Sequence, residues 1–372
     1  MLRKMPLFLK NPEWYYEDEQ GFPIIKENAP EEIKKSYIDY YKIYEKTPDS
    51  KSGIIGLVIG DAIGVPIEFY DRKKLQANPV TEFLGHGSHN IPKGSWSDDS
   101  SMTLATMHSI IEKKCIDVND IADKFVEWME NGKYTPTGKM FGIGRRTLKS
   151  LCTYESAKIK NKNIIASQFG GTLESDNGNG SLMRILPIAY YCFSQLDYSE
   201  DDEYDEEIFK IVREVSSITH SHEVNVMACY IYVKFAIELF YSKNLNQAYD
   251  YIQNLNYKYF SEECISKYKR ILKNNIRELH LDEISSSGYV VDTLEATIWT
   301  LLNTDSYEHA IIKAINLGQD TDTIGACVGG LAGIYYGLDN ISNNWKSELI
   351  KYDYISNLCE KFNDKLFYDW LL

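Results

Sequence analysis

Two oxygen-rich clusters stand far apart in this chain: Ser97-Asp98-Asp99 in the first third, and Asp320-Thr321-Asp322-Thr323 near the C-terminal end. Carboxylates and hydroxyls with no His or Cys beside them suit hard cations, Mg²⁺ or Mn²⁺ above all. Each cluster opens an apolar run that reads as a helix, so capping is an ordinary use for either one, because Ser and Asp accept bonds from unpaired first-turn amides. A cap needs one such residue. Several in succession gather negative charge that a cation would neutralise, and the two clusters together read as halves of one metal site in a hydrolase. The segment Gly60-Asp61-Ala62-Ile63-Gly64-Val65-Pro66-Ile67-Glu68 adds two acids. Pro66 ends a helix there and leaves Glu68 in a turn, from which a carboxylate can reach into a site.

Asn177-Gly178-Asn179-Gly180-Ser181 runs into LMRILPIAYY, which describes a loop offering backbone amides at a helix N-terminus. Such a loop can cradle phosphate, although an ordinary tight turn uses the same residues. His220 and His222 could ligate a metal, but no third His is near, and polar caps at a helix start explain them equally well. The loop 132–138 has room to border a pocket.

Helices must position these residues. Apolar positions recur at spacings of three and four, as in Val224, Met227, Ala228, Ile231, Tyr232 and Phe235, and strand signals are rare, so the expected fold class is all-α. Helices are expected over 30–44, 52–63, 101–114, 119–131, 141–152, 182–193, 208–219, 223–241, 245–254, 261–274, 289–303, 306–317, 324–336 and 354–366. The acidic run 197–207 and the basic run 158–163 are expected to be solvated loops. Two helices carry glycine stripes, Gly56, Gly60 and Gly64 in one and Gly325, Gly329, Gly333 and Gly337 in the other. Glycine costs a helix roughly 1 kcal/mol per position relative to Ala, so a stripe implies close backbone approach. Both stripes adjoin acids, an independent reason to bring the chain ends together. Residues 1–50 read as an N-terminal extension with one short helix, and 51–372 as a single helical domain.

The 372 residues are 44% hydrophobic with a formal net charge of −14, which argues against a nucleic-acid or anionic-membrane surface, since those need clustered cations. The seven cysteines are scattered without a CxxC pair, as expected for reduced thiols in the cytoplasm. Neither a secretory leader nor a membrane span is expected: the longest apolar segment, 324–338, is Gly-rich and short of the roughly twenty residues a span needs.

Six motifs in order, GLVIGDAIGVPIEF at 56–69, WSDDSSMTLA at 96–105, NGNGSLMRILPIA at 177–189, THSHE at 219–223, GYVVDTLEATIW at 288–299 and GQDTDTIGACVGGLAGIYYG at 318–337, resemble the ADP-ribosylglycohydrolase family. The resemblance covers about 53–370 and implies a compact orthogonal helix bundle with two Mg²⁺ or Mn²⁺ ions at the floor of a cleft. It matches Ser97, Asp98, Asp99, Asp320, Asp322 and Thr323 to the metal ligands, Ser97 replacing the usual Thr but keeping its hydroxyl. Gly178, Asn179, Gly180 and Ser181 match the phosphate and ribose loop, His220 a ribose contact, and Tyr289 a position near adenine. Some relatives carry an Asp where this chain has Gly142, a departure that weakens assignment to the arginine-directed branch, since an acid there could handle a guanidinium.

The implied activity is hydrolysis of the bond between ADP-ribose and an acceptor, with an ADP-ribosylated protein as partner, arginine slightly favoured over serine, by a monomeric enzyme. Glu68, Asp99 and Asp322 are the candidate catalytic residues; Glu68 or one of Asp98, Asp99 and Asp322 is the base for the attacking water. A non-catalytic ADP-ribose binder and a purely structural relative are the alternatives, both disfavoured by the intact acidic clusters.

Overall fold

Residues 5–18, 22–44, 47–196 and 202–368 are described in the computed structural model of the protein. A short hairpin of β1 (Tyr15–Glu17) and β2 (Pro23–Ile25) precedes α1 (Glu31–Tyr44), and these pack on each other through Phe8, Ala29 and Ile33 as a small core of their own. Everything from α2 (Ser50–Gly64) onward shares one large core. After α3 (Arg72–Ala77) come α4 (Asp98–Lys113), α5 (Val118–Asn131), α6 (Arg145–Lys160), α7 (Leu186–Gln195), α8 (Asp202–Ser216) and α9 (Glu223–Ser242). The chain continues through α10 (Leu245–Asn254), α11 (Glu262–Lys267), α12 (Lys269–Leu272), α13 (Val290–Leu302), α14 (Tyr307–Ile315), α15 (Thr321–Tyr336), α16 (Asn343–Glu348) and α17 (Tyr352–Asn363). The fold is all-α as expected, the hairpin being its one small sheet among the described residues.

Local chemistry sets the helix ends. Asp49, Asp71, Ser97, Asp117, Asn244, Ser261 and Ser306 each cap a helix by accepting from a first-turn amide. Several boundaries differ from the sequence expectation. The segment 141–144 is irregular, with Gly142 at φ +84, so α6 starts at Arg145 and takes in the first part of the basic run. Pro187 at the first turn of α7 delays that helix to Leu186. The expected helix over 261–274 breaks at Tyr268, whose buried hydroxyl is anchored 2.5 Å from the Val224 carbonyl. The acidic run is helical from Asp202; its earlier part lies outside the described residues. Helices α3 and α16 were absent from the sequence expectation; both are six residues long, too short for a clear period.

The glycine stripes do meet, and they meet antiparallel. A Cβ built on Gly60 would lie 2.0 Å from the Gly325 carbonyl oxygen, one on Gly56 2.4 Å from that of Gly329, and one on Gly64 2.4 Å from that of Thr321. Partner numbers fall as α2 numbers rise, so the C-terminal end of α2 abuts the N-terminal end of α15. Buried hydroxyls tie this backbone sandwich to its neighbours: Tyr307 donates to the Gly56 carbonyl at 2.7 Å, Tyr232 to Cys327 at 2.9 Å and Thr321 to Gly64 at 2.8 Å. Gly337 does not belong to the stripe. It ends α15 at φ +85, and a Cβ there would meet no described atom within 4 Å, so the glycine answers a backbone need rather than a packing one. The segments Ser50–Ile67 and Glu223–Ser242 have the length and hydropathy of membrane spans but are 89% buried inside the fold.

Substituting Gly60→Ala forces the two helices apart and is expected to cost at least about 3 kcal/mol, whereas Gly85→Ala, whose Cβ meets nothing closer than 3.5 Å, stays within about 0.5 kcal/mol in urea denaturation.

Candidate active site

Because α2 and α15 run antiparallel in backbone contact, the turn after α2 and the residues opening α15 share one end of the bundle. Carboxylate oxygens of Glu68, Asp320 and Asp322 lie within 4.8 Å of one another there. The first acidic cluster is brought to the same place by Asp61. That buried carboxylate accepts from the Ser97 amide at 3.0 and 3.1 Å, the Ser100 amide at 3.0 Å and the Ser100 hydroxyl at 2.5 Å, and so clamps the start of α4 against α2. Asp98, Asp99, Asp320, Asp322, Thr323 and Glu68 all line one cavity of about 510 Å³.

Capping accounts for little of this acid. Ser97 does cap α4, accepting from the Asp99 amide at 3.2 Å, but Asp98 and Asp99 are not used that way. Asp320 occupies the N-cap position of α15 without capping; its Oδ2 accepts instead from the Asn179 side chain at 2.9 Å. Asp99 Oδ2 is buried with no hydrogen-bond partner among the described residues. An orphaned carboxylate oxygen on a residue that lines the same cavity as Glu68, Asp320 and Asp322, whose own oxygens converge, fits a hard divalent cation. Burial pushes the Asp98, Asp99 and Asp322 carboxyls well above the usual carboxylate range, and neighbouring acids add to it, chiefly Asp61 for the first two and Glu68 for the third.

Glu68 is likewise raised by burial, against a hydrogen bond from His89 to its Oε2. The next residue, Phe69, holds φ +66 with its ring 72% exposed, and its amide donates to the Gln319 carbonyl at 2.6 Å while the Gln319 amide donates to Tyr70 at 2.8 Å. Two non-glycine residues in left-handed conformations thus pair beside the acids, at a cost of roughly 1–3 kcal/mol each. The His89 ring lies 6.2 Å from Phe69 and 5.3 Å from Phe141, an aromatic border to Glu68. Arg72 braces the segment leading into α15 by donating to the carbonyls of Leu281, Ile284 and Leu317.

The opposite wall is the glycine loop. Gly178 pairs with Tyr289, and the Asn179 amide donates to the Gly288 carbonyl at 3.0 Å, so the strand-like start of α13 backs the loop. Gly178, Asn179, Gly180 and His220 line the cavity. A Cβ at Gly180 would stand 2.9 Å from the His220 ring and 3.0 Å from the Thr147 hydroxyl, so glycine there keeps open the window through which both reach the cavity. Ser97, Tyr289 and Ser181 are not among the lining residues; the Ser97 hydroxyl is engaged as the α4 cap. Ser181 is fully buried and faces Cys229, and Tyr289 supports the loop through its backbone. A Cβ at Gly142 would lie 2.5 Å from Asp98 Oδ1, so the position that departs from some relatives borders the acidic floor.

Sequence reasoning missed the cationic wall. Arg145, Arg146 and Lys149 line the cavity from the first turns of α6, Arg146 with Asp176 at 3.6 Å, in a chain of formal charge −14. The signal was present as an RRxxK spacing that sets the three on one helix face. It also missed His89, and it read Asp61 only as one more acid rather than as the clamp on α4.

An all-α fold whose main cleft has a floor of carboxylate and hydroxyl oxygens is a frame for hydrolytic chemistry, and the relatives of the chain give that class: an all-α hydrolase. The sequence pattern of the ADP-ribosylglycohydrolase family matches residues 50–369, and the chain belongs to that family. It is 32% identical over 320 residues to the ADP-ribosylarginine hydrolase Tri1 of Serratia proteamaculans (strain 568), covering 85% of this chain and 79% of the relative. It is 26% identical to the ADP-ribosyl-[dinitrogen reductase] glycohydrolase of Rhodospirillum rubrum, over 79% of this chain and 88% of that one. Its fold is also that of a solved structure titled ADP-ribosylglycohydrolase-related protein complex, with a TM-score of 0.67 at 24% identity, covering 87% of this chain and all of the other.

The raised carboxyls fix a sign for stability. Their folded pKa values lie above the unfolded ones, so their contribution is fully present below the unfolded pKa and is lost as pH rises through the folded value. In EDTA the melting temperature should therefore fall as pH rises above the ordinary carboxylate range, and Mn²⁺ should restore it most at the upper end of that rise. Asp322→Asn should flatten the fall and remove the Mn²⁺ shift; an Asn variant that kept the full shift would contradict the cation assignment.

Proposed function

We propose that this protein hydrolyses the bond between ADP-ribose and an acceptor side chain on a modified protein, arginine before serine, with two Mg²⁺ or Mn²⁺ ions in the cleft. The observation that carries this is the polarised cavity. Acids from Glu68, Asp98, Asp99, Asp320 and Asp322 gather where α2 meets α15, while the 178–180 loop with Arg145, Arg146 and Lys149 supplies amides and cations, Asp176 offsetting part of that charge through its pair with Arg146 at 3.6 Å. A ligand with two phosphates flanked by ribose hydroxyls matches that division, the phosphates lying against amides and cations and the hydroxyls toward the floor.

Ser97, Asp98, Asp99, Asp320, Asp322 and Thr323 would hold the ions, which supply water activation and charge for fixing ribose hydroxyls. The rest belongs to the chain. Asn179 ties the glycine loop to Asp320, so substrate and floor keep a common register. Water adds to the anomeric carbon as the bond to the acceptor nitrogen or oxygen breaks; Glu68 takes the water's proton and returns it to the departing acceptor, so that OH ends on ADP-ribose and H on the acceptor. Burial raises the proton affinity of Glu68, which suits a base, while His89 holds the carboxylate in orientation.

The preference for arginine has two supports: the name of the Serratia relative, and the aromatic border beside Glu68. A guanidinium stacks on aromatic faces, and an exposed Phe69 held in a strained backbone next to the base is placed for that contact. A cytoplasmic location belongs to the same proposal, supported by seven free thiols of which five are buried.

The test is release of ADP-ribose from ADP-ribosyl-arginine, ADP-ribosyl-serine and O-acetyl-ADP-ribose, with Mg²⁺ or Mn²⁺ and then with EDTA. Turnover requiring the metal and lost by at least about a hundredfold in Asp99→Asn and Asp322→Asn is expected. Binding of ADP-ribose without release from any substrate would favour a recognition module instead. Phe69→Ala should raise KM for the arginine-linked substrate several-fold and leave O-acetyl-ADP-ribose unchanged; equal losses on both would remove the ring from acceptor recognition.

A further inference from the structure

Arg184 is fully buried, and among the described residues it has no carboxylate partner and leaves Nε and one terminal nitrogen without a hydrogen bond. A cation placed so is expensive, and the fold shields it only with the face of Phe125, 4.6 Å from the guanidinium carbon. Its remaining nitrogen donates to the Thr219 hydroxyl oxygen at 2.9 Å and to the Val215 carbonyl at 3.3 Å. Thr219 is itself fully buried, and its hydroxyl oxygen lies 2.8 Å from Nδ1 of His220.

One arrangement along this chain gives the buried Thr219 proton an acceptor. Arginine can only donate, so the Thr219 oxygen is an acceptor toward Arg184. The Thr219 hydroxyl proton then needs an acceptor of its own, and among the described residues His220 Nδ1 is the one within hydrogen-bonding geometry. Nδ1 therefore accepts, and the ring's proton sits on Nε2. The Cε1–Nε2 edge of the ring is turned toward the glycine loop: Cε1 is 2.9 Å and Nε2 3.5 Å from where a Cβ of residue 180 would stand, and Nε2 is 3.9 Å from where one of residue 178 would stand.

We infer that Arg184 and Thr219 are positioning residues that lock His220 in its neutral Nε2–H form, making it an obligatory hydrogen-bond donor to an oxygen of the ligand. Burial and the nearby charges of Arg184 and Arg146 also keep the ring from taking a second proton, with its pKa lowered to about 3. Across the working pH range His220 is thus neither an acid nor a base but a fixed dipole. It selects ligands that present an acceptor there, a ribose hydroxyl oxygen or a phosphate oxygen, and it rejects an ammonium or an amide N–H. Identifying the ligand as ADP-ribose rests on the proposed function; the tautomer does not.

The experiment is nitrogen-15 NMR of the full chain with labelled histidine, on wild type, Thr219→Ser and Thr219→Val, alongside ADP-ribose titration. Wild type and Thr219→Ser should show the proton on Nε2 of His220, unchanged from about pH 5 to about pH 8. Thr219→Val, isosteric but unable to donate, should lose that single form and bind ADP-ribose roughly tenfold more weakly, with Thr219→Ser close to wild type. A proton on Nδ1 in the wild type, or a Thr219→Val variant with unaltered tautomer and affinity, would overturn the inference. Correct tautomers in a protein that binds no ADP-ribose would instead overturn the proposed ligand and leave the relay standing.

Discussion

The contact on which the molecule depends is that between the bare backbones of α2 and α15. Helices with ordinary side chains pack with axes about 8–10 Å apart; where glycine faces glycine, each carbonyl occupies the space the other's Cβ would take. Such proximity is bought with helix propensity and gives little hydrophobic gain, so its value lies in geometry. It fixes the register of two segments from opposite ends of the sequence to a fraction of a side-chain width. Glu68 follows α2 and Asp320 precedes α15, so that register is also the geometry of the acidic floor. Repulsion among the acids is tolerated because the surrounding core over-determines where they stand.

A second constraint acts at right angles to the first. Asp61 projects from α2 and gathers the opening amides of α4, turning a buried charge into an anchor satisfied by four hydrogen bonds. Three helix ends consequently point into one cleft. Two are N-termini, of α4 and α15, whose positive dipole ends lie near the carboxylates and soften their mutual repulsion. A third N-terminus, that of α6, faces them from the other wall with Arg145 and Arg146 in its first turn.

Much of this was legible in the sequence because it is written in short-range rules. The glycine stripes announced a helix pair, and residue types at 97–99 and 320–323 announced oxygen chemistry. The helical class followed from the spacing of apolar residues such as Val224, Met227 and Ile231. What stayed hidden depends on three-dimensional neighbours. The RRxxK face of α6 reads as a solvated helix until the loop 178–180 is seen opposite it. His89 reads as a turn residue until its ring meets Glu68. Gly337 looked like one more member of a stripe because spacing alone cannot separate a packing glycine from a cap. Ser181 carries the right atom in the right motif, yet the turn aims it into the core at Cys229.

The side chain of Asn179 donates to Thr293 as well as to Asp320, bridging the glycine loop, α13 and the acidic floor through one amide. Whatever settles Asp320 therefore also settles the loop, and whatever settles the loop holds Asp320 in place. In thermodynamic terms the two halves of the cleft share a coupling free energy, and such coupling is reciprocal. Any change of affinity that one half imposes on the other is returned by the same factor. A single planar group thus joins the two halves of the cleft.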